Sequence, residues 1–152
     1  MVNKFANYCH KNFDLKQKHY ANGYYSMSVC LIDCIYSLRA KYFLVTVPVV
    51  DRYAKAYMNG DKYSSGDDLA ELIKHIDEAG GAEIFAESIL KNRQVLSGLR
   101  KSSVMYKLAK KLLSLGINTM NDFKNFKDQI LLENTIKSVR GMGDAGTDYL
   151  FM

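Results

Sequence analysis

Apolar positions recur at spacings of three and four along most of the chain, the period of a helix with one buried face. The first twenty residues are polar with scattered aromatics, and Phe5, Tyr8, Cys9 and Phe13 predict an amphipathic helix. From Ser26 the pattern strengthens: Val29, Ile32, Ile35, Tyr36 and Leu38, with Cys30 and Cys34, predict a strongly buried helix ending near Arg39–Lys41. Asp67 or Asp68 is placed to cap a helix through Leu69, Leu72, Ile73 and Ile76 that stops at Gly80–Gly81. Ile84, Phe85, Ile89 and Leu90 mark another. Val104, Met105, Leu108, Leu112 and Leu113 mark a third, with Gly116 as its C-cap. Asn118 or Thr119 opens a short element through Met120 and Phe123, and Leu131–Val139 is the last clear helix. A tight turn over Arg140–Gly143 leaves Asp144–Met152 room for barely two helical turns. One stretch breaks the period. Tyr42–Val50 is β-branched and reads as a strand, yet Pro48 argues against a central strand; equally it is a buried loop leading into a helix, with Pro48 near the first turn and Val49–Tyr57 following.

These elements predict an all-α, compact multi-helix domain over residues 25–152, preceded by an N-terminal helical extension over 1–24. No repeat or low-complexity segment interrupts them. The 152 residues suffice for one domain with a real core. A hydrophobic fraction of 48 % with a single proline excludes a disordered or collagen-like chain. Three cysteines make no disulfide framework, which points to a reducing cytoplasmic setting. No apolar run reaches the ~18 residues of a membrane span, and no secretory pattern opens the chain. Neither a membrane nor a cofactor is expected.

Charge changes the picture more than composition does. The formal net charge is +5, but it is distributed in blocks. Residues 1–60 are basic, and residues 61–87 carry eight acidic groups against two basic ones. Residues 88–121 hold seven basic groups (Lys91, Arg93, Arg100, Lys101, Lys107, Lys110 and Lys111) and no acid. Lys107 and Lys111 share one helical face, with Lys110 beside them. Such segregation suits a polyanion; equally, the opposed blocks neutralise each other across a solvated surface.

The turn between the last two helices carries the most specific chemistry. In Val139-Arg140-Gly141-Met142-Gly143-Asp144-Ala145 an apolar residue sits between two glycines. Gly141 and Gly143 allow a sharp turn and a close backbone approach, and Met142 can plug between the helices. Amides from Gly141 to Ala145, beside a helix N-terminus, form a pocket of donors suited to a phosphate oxygen. A DNA backbone is held in this way without its sequence being read. Asp144 would repel a phosphate there unless it caps the helix and points away.

Here the chain resembles the helix-hairpin-helix family, and more narrowly the glycosylase-like superfamily of base-excision DNA repair proteins. The Gly-apolar-Gly register runs through Val139–Thr147. The similarity extends to Val29–Ser37 as the opening core helix, to Val45–Tyr53, and to Leu108–Gly116 ahead of the hairpin. The resemblance implies an all-helical fold and double-stranded DNA as partner. It places the contacts on Arg140, Gly141, Met142, Gly143 and Ala145, helped by Arg100, Lys101, Lys107, Lys110 and Lys111.

Departures from that family argue against chemistry. Lyase-type members carry a Schiff-base lysine two positions after the second hairpin glycine, where this chain has Ala145. The family's catalytic aspartate lies beyond the helix after the hairpin, and the sequence stops at Met152 first. Cys9, Cys30 and Cys34 are too few for an iron–sulfur centre. No catalytic residue and no metal ligand is therefore expected. DNA binding without catalysis is the leading expectation. Beside it stand a protein-interaction or inhibitor module, or self-association, using the apolar end Tyr149–Met152, and the front part of a longer glycosylase-like enzyme.

Other candidates have plain readings. Cys30 and Cys34 lack a zinc spacing and read as core thiols. His10, His19 and His75 are isolated. Asp51 and Arg52 are candidates for a buried ion pair or a helix cap. Eleven tyrosines are many; Tyr20, Tyr24, Tyr25 and Tyr63 lie where stacking on bases or packing on a partner is conceivable.

Overall fold

The computed structural model describes residues 23–151, so the expected extension over 1–24 lies almost wholly outside the described residues, with Cys9, His10, His19 and Tyr20. Helix α1, Met27–Ser37, begins at Ser26, whose hydroxyl accepts from the Val29 N–H at 3.2 Å. Nearly every side chain of α1 is buried, which marks it as the central helix rather than a surface one. Around it pack α2 (Val47–Tyr57), α3 (Leu69–Glu78), α5 (Lys101–Ser114) and α8 (Asp144–Phe151).

The Tyr42–Val50 stretch is not a strand; it leads into a helix with Pro48 in its first turn, as the second reading expects, and only the lead-in differs from the expected loop. Tyr42–Thr46 forms a π-helical turn that runs directly into α2, with Pro48 in the first helical turn where no N–H is required. Val49, Val50, Tyr53 and Ala54 then bury one face of α2, a helical spacing that overrides the β preference of the valines.

Asp68, not Asp67, caps α3, in a reciprocal box with Glu71. The glycines after α3 both take left-handed backbone, and α4 (Ala82–Phe85) continues as a π-helical turn to Leu90. Residues 95–100 add an unexpected two-stranded hairpin, β1 (Val95–Leu96) and β2 (Leu99–Arg100). It turns at Ser97–Gly98, both with positive φ. Helix α5 starts directly from β2. Thr119 and Asp122 box the start of α6 (Met120–Lys124), and Asp128 accepts from the Leu131 N–H at the start of α7 (Gln129–Lys137).

Helix α8 closes the structure against α1. Leu150 is buried and Phe151 packs on Phe123, with ring centroids 5.2 Å apart. The apolar run expected to offer an outward patch is therefore turned inward as far as Phe151.

Candidate functional site

The α7–α8 connection is built from both its neighbours. The Met142 N–H donates to the Val139 carbonyl at 3.0 Å, closing a tight turn over Val139–Met142. Gly141 has φ near +99°, and a Cβ there would lie 3.2 Å from the Leu96 side chain. The glycine at 141 thus serves the turn and its packing under β1. Met142 is buried and meets the bare backbone of Gly146, as a plug between helices must. Its side chain is accordingly withdrawn from the contact surface on which the sequence placed it. Gly143 and Ala145 are exposed, and nothing crowds Gly143. Asp144 points outward and pairs with Lys137 at 3.1 Å across the turn.

Beside this turn lies an open groove of about 400 Å³ lined by Lys107, Lys110 and Lys111 of α5 and by Ser138, Val139 and Arg140. The helical register places Lys107 and Lys111 one turn apart on the same face. Lys111 Nζ donates to Ser138 Oγ at 2.7 Å, and Ser138 Oγ in turn donates to the Thr135 carbonyl at 2.6 Å. Lys110 Nζ stands 4.8 Å over the Tyr106 ring, and the Tyr106 hydroxyl is held by Asp77. The Arg140 guanidinium lies against the hairpin turn at Gly98. Among the described residues, no carboxylate forms an ion pair with Lys107, Lys110, Lys111 or Arg140. Four basic residues therefore line one concavity, none of them in an ion pair among the described residues.

The rest of the basic block goes elsewhere. Arg93 and Arg100 share Glu87 at 3.4 and 3.8 Å, so the acidic segment does neutralise part of it. Lys101 is 1 % exposed and is not part of any basic face. Its ammonium donates to the Tyr36 and Leu38 carbonyls at 3.2 and 2.7 Å and to Gln94 Oε1 at 2.8 Å. It closes the end of α1, where helix carbonyls lack partners. Burial pushes its pKa down to about 8.

The remaining candidates settle into the scaffold. Burial raises the Cys30 thiol to about 12 and the Cys34 thiol well above its ordinary value, which makes both poor nucleophiles. Asp51 and Arg52 do not pair: Asp51 takes Lys62 at 3.0 Å, and Arg52 donates to the Leu90 carbonyl. His75 Nε2 lies 3.1 Å from Asp67 Oδ2, with its ring stacked on Tyr57. Tyr24 stacks on Tyr63, and Tyr25 is exposed.

One constellation escaped the sequence reading. Asp33, on the buried surface of α1, accepts from the hydroxyls of Tyr24 (2.8 Å) and Tyr42 (3.0 Å) on one oxygen. Its other oxygen accepts from Tyr149 (2.8 Å) and Ser37 (3.4 Å). No described cation pairs with it; four hydroxyl donors take the place of a counter-ion. Burial first, then the Asp33 charge, pushes the Tyr24, Tyr42 and Tyr149 hydroxyls above the ordinary phenol range. The signal was a lone carboxylate inside the apolar run Val29–Tyr36.

The chain belongs to a family described as a domain of unknown function (DUF8548), which matches residues 3–152. Neither the curated proteins nor the solved structures contain a match to it.

Proposed function

We propose that this member of the family binds double-stranded DNA through its phosphate backbone, without catalysis, at the α7–α8 turn and the groove beside it. The observation that carries the reading is that Lys107, Lys110, Lys111 and Arg140 line one groove with no carboxylate paired to them among the described residues. Lysine and arginine side chains a helical turn apart suit a strand's successive phosphates, which position a protein without specifying sequence. The exposed Gly143 and Ala145 at the start of α8 add backbone donors next to that track. The turn's register and the helix order support a helix-hairpin-helix of the glycosylase-like kind. At the position of the Schiff-base lysine the chain has Ala145, which supplies no nucleophile, so binding alone is the reading.

Fluorescence anisotropy with a labelled duplex, titrated at about 50 and 200 mM salt, tests this. Binding that weakens steeply with salt and is indifferent to sequence supports it. Absence of binding at micromolar protein in low salt removes it.

A second reading has its own observation. Phe43 and Leu44 stand side by side on the π-helical turn, 77 % and 72 % exposed, which favours a protein partner at that corner.

A further inference from the structure

We propose that Asp33 is a positioning residue for the α7–α8 turn, acting through Tyr149; this rests on the DNA-backbone reading for its binding consequence but not for its structural one. Asp33 is 5 % exposed, and its two oxygens divide their donors by element. Oδ2 holds Tyr24 and Tyr42, from the chain before α1 and the turn before α2. Oδ1 holds Tyr149, which lies 116 residues away in the last turn of α8. The Tyr149 hydroxyl is also within 3.1 Å of Ser37 Oγ, and Ser37 Oγ reaches Thr46 Oγ1 at 3.2 Å. A carboxylate desolvated this far without a cation depends on its hydroxyl donors, so the geometry that satisfies it is narrow.

Helix α8 converts that narrow geometry into a position for the turn. It has eight residues, a rod of about 12 Å, with Tyr149 near one end and Asp144 at the other. Gly146, halfway along, lies against α1: a Cβ there would be 3.2 Å from both the Leu38 and Met142 side chains, and its carbonyl is 3.5 Å from Cys34 Sγ. The rod therefore seats on α1 at a bare glycine and is pinned by one phenol. Releasing that phenol lets the helix slide or roll on the glycine seat, and the amides of Gly143–Ala145 move with it. The same phenol-to-carboxylate contact made by Tyr24 has no such lever attached.

The test compares Asp33→Asn, Tyr149→Phe and Tyr24→Phe in the full chain. Backbone amide NMR spectra of the free protein report the position of Gly141, Gly143 and Asp144, and duplex titration reports affinity. Asp33→Asn and Tyr149→Phe are expected to shift those hairpin amides and to weaken duplex binding about fivefold. Tyr24→Phe, which takes a donor from the same carboxylate, is expected to lower the melting temperature and leave the hairpin amides and the affinity in place. Should Asp33→Asn fail to fold, Tyr149→Phe against Tyr24→Phe decides alone. Hairpin amides unmoved by Tyr149→Phe, or moved equally by Tyr24→Phe, overturn the positioning role. Shifted amides in a protein that binds no duplex keep that role and discard the DNA reading.

Discussion

Lys111 on α5 is tied to Ser138 at the end of α7 by a 2.7 Å hydrogen bond, which makes one wall of the groove answer to the other. That bond uses one of the lysine's N–H donors and leaves the others for an anion. Its side chain is thereby pre-oriented, so less rotamer freedom is lost when a phosphate arrives.

Replacing Lys107 and Lys110 by alanine should weaken duplex binding without unfolding the chain, since both are exposed. The informative quantity is the slope of log affinity against log salt. Each lost phosphate contact should flatten it by about 0.9, so the double variant should lose nearly two. Anisotropy over a salt series measures this; an unchanged slope would mean that these lysines face solvent only.

Asp144 stands at the first position of α8 with its carboxylate outward, paired among the described residues with the exposed Lys137. A negative group there competes with a phosphate for the same helix terminus. Asp144→Asn should tighten duplex binding about two- to fivefold at low salt, an effect that fades as screening increases. Weaker binding in the variant would instead make the Lys137 pair part of the working geometry.

The two glycines of the turn should respond differently to alanine. At Gly141 the backbone is left-handed and a methyl would press on Leu96, so Gly141→Ala should cost roughly 1–3 kcal/mol of stability in denaturant unfolding. Gly143 has no crowding atom and no positive φ, so Gly143→Ala should stay within about 0.5 kcal/mol. Equal costs would contradict the packing of β1 over the turn.

Lys101 gives the protein a pH signature. Its folded pKa, near 8, lies below that of the unfolded chain, so between the two the unfolded state binds more protons and this group's contribution rises with pH. The thiols of Cys30 and Cys34 and the buried tyrosines, all shifted upward, act in the opposite direction once their unfolded forms ionise. Net stability should therefore fall above about pH 9 in the native chain. In Lys101→Met it should fall more steeply, because the rising contribution is gone. Urea unfolding between pH 7.5 and about 10 separates the two curves; parallel curves would show that Lys101 is charged in both states.

The long helices were legible because their burial follows a 3.6-residue period that needs no tertiary information. Capping chemistry narrowed two starts to Asp67 or Asp68 and to Asn118 or Thr119 for the same local reason, and the fold selects Asp68 and Thr119. Over Tyr42–Val50 the β-branched residues suggested a strand while Pro48 pointed to a helix start, and the helix is what forms; the π-helical turn over Tyr42–Thr46 ahead of it has no local signature. The β1–β2 hairpin was invisible: two residues per strand leave no alternation to detect. Within the site, Lys107, Lys110, Lys111 and Arg140 could be read from charge alone. Lys101 could not be separated from them, because it occupies the first position of α5 facing the end of α1, a fact of assembly. The packing of Leu96 over Gly141, which adds a structural need for glycine there, could not be read because only the folded chain brings β1 to the turn.

The seat of α8 on α1 has a consequence for how the molecule comes apart. An eight-residue helix does not persist alone in water. Joined through Tyr149, Gly146 and Leu150 to the most buried helix, it inherits the lifetime of the core. The start of α8 that borders the groove is thus not a frayed end waiting for DNA. It loosens only when the first helix does, so the surface that borders the groove is as durable as the protein itself.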